Sequence, residues 1–342
     1  MKQRGHDAMV TKRLIAWTTL SIVVVATFGG CPRSQPLDPV SVRMKWIING
    51  TTSEFFLGNE NGIFKSNGFL VEIQPGGPGI SGVQLVASGT STFAVTSAEE
   101  VIRAQANNID VVAIASIFQE NPVRFLSSDK SAVTGPSDLK GKKIALVLGD
   151  NTELQFKSLL GTAGLTLDKV KVLPWTFDLR LFVAGDIDVI PAYAFDQPLQ
   201  IKRLAPEFAF SEINPERFGV VGTGDVLITS GALHRSQSGL VKRFVKAFLA
   251  SLDAARRNQP AAVRSLLKAN RDLVYQDEFE TWQRACDFIS ADGQAPGRLI
   301  NSRWEATLGR LRQHEDGLKF PPTFTLYQCF TNDHVDQIIA GK

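Results

Sequence analysis

Arg43-Met44-Lys45-Trp46-Ile47-Ile48-Asn49-Gly50-Thr51-Thr52-Ser53-Glu54-Phe55-Phe56 opens as a short apolar run of strand type and then breaks into small polar residues. Asn, Gly, Thr and Ser favour turns and helix caps, and the apolar residues that resume at Phe55 read as a helix start. A strand, a polar turn and a helix leave backbone N–H groups free at the helix N-terminus. In an open α/β sheet the crevice beyond the strand ends is where ligands bind. Trp46 offers that crevice a flat apolar face, and Asn49 an amide.

Downstream, the pattern repeats. Leu70–Ile73 and Thr92–Val95 read as strands followed by loop or cap residues, and Val111–Ile117 is an apolar run of the kind buried on both faces. A second set starts at Ile144–Leu148 with Gly149-Asp150-Asn151-Thr152-Glu153 as turn and cap. It continues through Val170–Leu173 and Asp188–Tyr193, which opens onto Ala194-Phe195-Asp196. This alternation predicts parallel α/β units. The chain crosses between the two sets near 121–127 and again near 222–228. Residues 236–342 are mostly helical, with Leu240, Phe244, Ala247, Phe248 and Leu252 on one face.

Composition sets the outer bounds. The chain has 342 residues, 44% hydrophobic and 21% charged, enough for two lobes with real cores. A net charge of +3 gives no argument for nucleic acid. Lys12-Arg13, an apolar run from Leu14 to Phe28, and Gly29-Gly30-Cys31 describe a secretory signal over 1–30. Cys31 is the lipidation candidate, although Phe28 departs from the small aliphatic residue usual there. Residues 31–41, with Pro32, Pro36 and Pro39, read as a tether. Export places Cys286 and Cys329 in an oxidising space, where they either pair or remain separate buried thiols. Four histidines, one of them in the leader, argue against a multi-histidine metal site. No cofactor is indicated.

Several motifs in order resemble the solute-binding proteins of ABC importers, in the branch holding thiamine-pyrimidine-precursor binders and nitrate, sulfonate and taurine binders. They are Trp46 to Asn49, Leu57-Gly58-Asn59-Glu60-Asn61-Gly62-Ile63-Phe64, Leu85-Val86-Ala87-Ser88-Gly89, Asp138-Leu139-Lys140-Gly141-Lys142-Lys143-Ile144 and Gly185-Asp186-Ile187-Asp188-Val189. The resemblance covers about residues 42–260. It implies a two-lobed, type II periplasmic-binding-protein-like α/β fold with hinge crossovers and no chemistry on the ligand. Lobe 1 takes 42–121 plus 228–342, and lobe 2 takes 122–227. It further implies an extracytoplasmic monomer tethered to the membrane by a lipid, serving a permease and an ATPase.

Strand-end loops nominate the ligand site: Trp46, Asn49, Thr51, Thr96 and Ser97 from the first lobe. The second lobe adds Asp150, Asn151, Thr152, Glu153, Tyr193, Phe195 and Asp196, and the crossover adds Thr223 and Asp225. In the thiamine-precursor branch, aromatic rings and carboxylates hold a flat amino-heterocycle, which matches Trp46, Tyr193 and Glu153 or Asp196. These loops are rich in acids and nearly devoid of bases, so they disfavour anions and suit N–H donors or cations. A small neutral or amine-bearing heterocycle is therefore expected. A sulfonate, nitrate or taurine binder is the alternative. A pyrimidine-synthesising enzyme of the same fold is further off, because the cysteine-rich iron motif of that relative is missing. Gly76-Gly77-Pro78-Gly79 reads as a plain loop, since proline removes an N–H from any phosphate cradle.

Overall fold

The computed structural model describes residues 36–315 and 317–341. The signal segment, Cys31 and the first part of the tether lie outside the described residues. No helix among the described residues is long and apolar enough to cross a membrane.

Among the described residues, ten strands form two five-stranded mixed sheets. The first contains β1 (Asp38–Arg43), β2 (Phe69–Gln74), β3 (Phe93–Ser97), β4 (Val111–Ser116) and β10 (Asp225–Ser230), in the order β2-β1-β3-β10-β4. The second contains β5 (Val123–Ser128), β6 (Lys143–Leu146), β7 (Lys171–Pro174), β8 (Val189–Tyr193) and β9 (Phe210–Ile213), in the order β7-β6-β8-β5-β9. The pairs β1–β2, β1–β3, β6–β7 and β6–β8 are parallel. In the first sheet β10 runs antiparallel to both its neighbours, and in the second sheet β5 does.

Those two strands are the ones the chain enters directly from the other sheet. The parallel strands end at the gap between the sheets. A chain that crosses the gap therefore enters the next sheet at that same edge and must run away from it. The antiparallel strands thus mark the crossings, Ile117–Pro122 and Asn214–Gly224.

The opening strand differs from the sequence expectation. β1 is Asp38–Arg43, and the run Met44–Ile48 bends instead of extending. The expected tether therefore ends before Asp38. Pro39 is tolerated because β1 pairs with β3 only at Val42 and Arg43, so Pro39 has a single neighbouring strand, β2. The bent run is pinned by the loop after β2. Gly76 N–H donates to the Trp46 carbonyl at 2.9 Å, and a Cβ on Gly76 would sit 2.1 Å from the Met44 carbonyl oxygen.

The first lobe carries the larger core. The helix Ser238–Arg257 turns Phe244 and Phe248 inward, where Phe244 stacks on Phe93 with centroids 3.9 Å apart. The helices Gln259–Ala269 and Tyr275–Ala285 close over the same core, the second with Trp282, fully buried. The second lobe is packed around Phe125, Phe156 and Phe182. Cys286 and Cys329 are both free thiols belonging to different apolar clusters, so the pairing option falls. Burial pushes each thiol up to about 12.

Candidate functional site

The gap between the sheets holds a cavity of about 330 Å³. Its walls are strand ends and the turns that follow them, as the α/β pattern requires. The first lobe supplies Lys45, Trp46, Asn49, Thr51, Thr96, Glu100 and Asp225. The second supplies Asp150, Asn151, Thr152, Trp175, Phe177, Tyr193, Phe195 and Asp196.

Local folding explains the placement. Asn49 caps the short turn Gly50–Thr52 by accepting from the Thr51 N–H at 3.0 Å and its hydroxyl at 2.7 Å. Gly50 N–H donates to the Glu278 carboxylate, and Gly50 lies so close to that helix that a Cβ would sit 2.3 Å from the Glu278 carbonyl oxygen. Across the gap, Asp150 caps the helix Asn151–Thr162 by accepting from the Thr152 and Glu153 N–H groups at 2.8 and 3.0 Å. Asp196 accepts from the side-chain amides of Gln197 and Gln200 at 2.8 and 2.6 Å.

A polar cluster bridges the two walls. The Lys45 ammonium donates to Asp225 Oδ1 at 2.6 Å within its own lobe and to Tyr193 Oη at 2.7 Å on the other. Asn151 Nδ2 donates to the same Tyr193 oxygen at 3.2 Å. Two donors already aim at that oxygen, so its own proton points elsewhere. Burial works against the Lys45 charge, but Asp225, Tyr193 and Glu100 outweigh it and raise its pKa well above normal. Burial likewise raises Asp225, with Lys45 pulling it back, and it also raises Glu100, Asp150 and Asp196. Glu54 is 1% exposed, has an oxygen with no hydrogen-bond partner, and is pushed up to about 8 by burial.

Three nominated residues do not reach the cavity. Ser97 is buried at the end of β3, where its hydroxyl accepts from the Glu100 N–H. Glu153 turns along its helix to Lys157, 2.8 Å away, and accepts from the Gly149 N–H at 2.6 Å. Thr223 is buried in the second crossing. The other eleven nominated residues line the cavity.

The sequence reading missed Lys45, Glu100, Trp175, Phe177 and the loop Gly77-Pro78-Gly79, which also lines the cavity. The expectation of acidic loops with almost no base becomes specific: among the described lining residues five carboxyl groups face one lysine. No group of three or more His, Cys, Asp or Glu suited to a metal occurs among the described residues.

A family model described as NMT1/THI5 like matches residues 49–262. The chain belongs to the NMT1/THI5-like family. Among its relatives, the formylaminopyrimidine-binding protein of Halalkalibacterium halodurans is 25% identical over 291 residues, covering 82% of this chain and 87% of the relative. The riboflavin-binding protein RibY of Chloroflexus aurantiacus is 24% identical, covering 90% of each chain. The fold of this NMT1/THI5-like chain is that of periplasmic binding proteins. The alkanesulfonate-binding protein SsuA of Xanthomonas axonopodis pv. citri, solved with MOPS, superposes with a TM-score of 0.63 at 14% identity, covering 86% of this chain and 99% of SsuA.

Proposed function

We propose that this chain is the extracytoplasmic solute-binding component of an ABC importer. On this reading it captures a small neutral or amine-bearing flat heterocycle, of the thiamine-pyrimidine-precursor type, between its lobes. The supporting observation is the lining: five carboxyl groups, one lysine already paired with Asp225, and aromatic faces on both walls. Such a surface presents acceptors to ring amino groups and flat apolar faces to the ring itself. A volume of about 330 Å³ is at the lower end for ligand sites, roughly 300–1,000 Å³, and suits a compact ligand. The names of two relatives, for formylaminopyrimidine and for riboflavin, both point to planar nitrogen heterocycles.

In this reading residues 42–121 and 228–342 move as one jaw and 122–227 as the other. The strands Asp38–Arg43 and Asp225–Ser230, both in the first sheet, support starting the first jaw at Asp38 and its return segment at Asp225. The two crossings act as the hinge. Cys31 carries the lipid anchor, the mature chain works as a monomer, and a permease and an ATPase receive the solute.

A second reading, a sulfonate or nitrate binder, has one observation in its favour: Lys45 lies in the cleft of a fold shared with SsuA. Thermal shift and calorimetry against formylaminopyrimidine, riboflavin, taurine and nitrate separate the two. The proposed reading expects stabilisation by the pyrimidine and its recovery unchanged, as capture without turnover requires. Stabilisation by taurine or nitrate alone overturns it, and conversion of the pyrimidine establishes an enzyme instead.

A further inference from the structure

Phe177 sits between β7 and the helix Leu179–Ala184 with φ +62°, in the left-handed region. For a bulky side chain that conformation is an outlier, and such strain persists where the surroundings impose it. Burial does not supply the reason, because Phe177 is 44% exposed. What the conformation does supply is a direction. The ring reaches the opposite lobe and meets Trp46, with centroids 5.1 Å apart and planes tilted by 46°. On its own lobe it meets Trp175 at 5.7 Å. Ile47 and Ile80 line the same cavity and are likewise exposed, which places this aromatic row at the mouth of the cleft.

The geometry points to Phe177 as a ligand-retaining residue: its strained backbone holds the ring across the cleft mouth, where contact with Trp46 closes the cavity over a bound solute. The inference rests on the proposed solute-capture reading. It assigns a role to a residue outside the polar cluster of Lys45, Tyr193 and Asp225. An aromatic pair adds a modest increment beyond its buried area. It therefore acts on residence time more than on whether the ligand binds at all.

Two substitutions separate strain from contact. Phe177→Gly removes the ring and relieves the backbone, whereas Phe177→Ala removes the ring and keeps the strain. The ligand-free readouts are melting temperature and acrylamide quenching of tryptophan fluorescence. Trp282 and Trp304 are fully buried, so in protein made without the signal segment that holds Trp17 a change in quenching reports Trp46 and Trp175. The expected results are stronger quenching in both variants, and melting about 2 °C or more higher for the glycine variant than for the alanine variant. With formylaminopyrimidine as probe, both variants should release ligand about three- to tenfold faster in stopped flow, while Phe177→Tyr retains the wild-type rate. Wild-type quenching in both variants overturns the role of Phe177, as does an unchanged release rate. If wild-type protein fails to bind the probe, the ligand class falls. The quenching comparison still decides whether Phe177 spans the mouth.

Discussion

The cleft and the second crossing are both polar and both connect the lobes, yet they treat charge in opposite ways. At the crossing, Arg303 is 6% exposed and fully engaged. It donates to Glu216 at 2.6 Å, to the Gly222 carbonyl at 2.8 Å and to Asp292 at 2.9 Å. Arg310, on the same helix Asn301–His314, donates to the Val221 carbonyl, although its buried Nε has no hydrogen-bond partner. Glu99 accepts from Gln155 across the lobes at 2.9 Å. In the cleft, by contrast, carboxyl groups outnumber the single lysine and burial raises their pKa values. The crossing pairs its Arg303 with two carboxylates of the protein. The cleft holds buried carboxyl groups in excess of its lysine, and Glu54 Oε2 among them has no hydrogen-bond partner, as expected where a ligand is to complete the set.

The comparison breaks most visibly if the crossing proves dispensable. Arg303→Met leaves Glu216 and the Gly222 carbonyl without their donor, and removing one partner of a buried pair costs about 3–5 kcal/mol. Urea unfolding should show that loss, with ligand affinity of the folded fraction nearly unchanged. A loss of affinity without a loss of stability would reverse the assignment of the two regions.

Glu54 tests the opposite claim, that the cleft wall keeps a carboxyl group at the expense of stability. Its folded pKa of about 8 lies above the ordinary 4.5. The native state therefore holds the proton more tightly. That contribution is complete below about pH 4.5 and is lost as pH rises to about 8. Relative to wild type, Glu54→Gln should gain about 2–4 kcal/mol between pH 5 and pH 9. Parallel urea curves at those two values check it, and equal slopes with pH would mean that Glu54 is not buried as a neutral acid.

Tyr193→Phe acts on the bridge itself. It removes the oxygen that accepts from both Lys45 and Asn151, one donor from each wall. Only the Lys45 bond crosses the gap, so at about 1 kcal/mol per net hydrogen bond formylaminopyrimidine should bind about fivefold to tenfold more weakly by calorimetry. The melting temperature should change little, because the bridge joins lobes that are each packed on their own cores.

Much of this was legible in the chain and some was not, for identifiable reasons. Alternating apolar runs and capped turns disclose which strands end in loops, so Asn49, Thr51, Asp150, Asn151 and Tyr193 could be nominated from local pattern alone. Pattern does not disclose which side of a turn faces the gap. Glu153 and Asp150 belong to one cap, yet Glu153 turns to Lys157 and only Asp150 reaches the cavity. Pro39 misled because it closes a run of three prolines with no periodic pattern, which reads as tether, while its pairing with a single neighbouring strand makes it compatible with β1. Lys45 left a trace, a lone charge between Met44 and Trp46 in an apolar run, but its partners are 148 and 180 residues away. Phe177 left none, since a positive φ on phenylalanine is imposed by tertiary contacts and no residue preference signals it.

The smallest expected effect belongs to a contact that joins the lobes outside the cavity. Arg203 of the helix Gln197–Leu204 lies 3.3 Å from Asp277 of the helix Tyr275–Ala285, and both side chains are about a third exposed. An exposed pair of this kind contributes about 0.2–1 kcal/mol and weakens with salt. Arg203→Ala should therefore reduce affinity for formylaminopyrimidine less than about threefold at low salt and leave it unchanged at 0.5 M sodium chloride. Calorimetry at the two ionic strengths decides. A larger, salt-insensitive loss would mean that closure depends on this surface pair as much as on Lys45 and Tyr193, and the contrast between a crossing built on paired Arg303 and an acid-rich cleft would have to include a third site of contact.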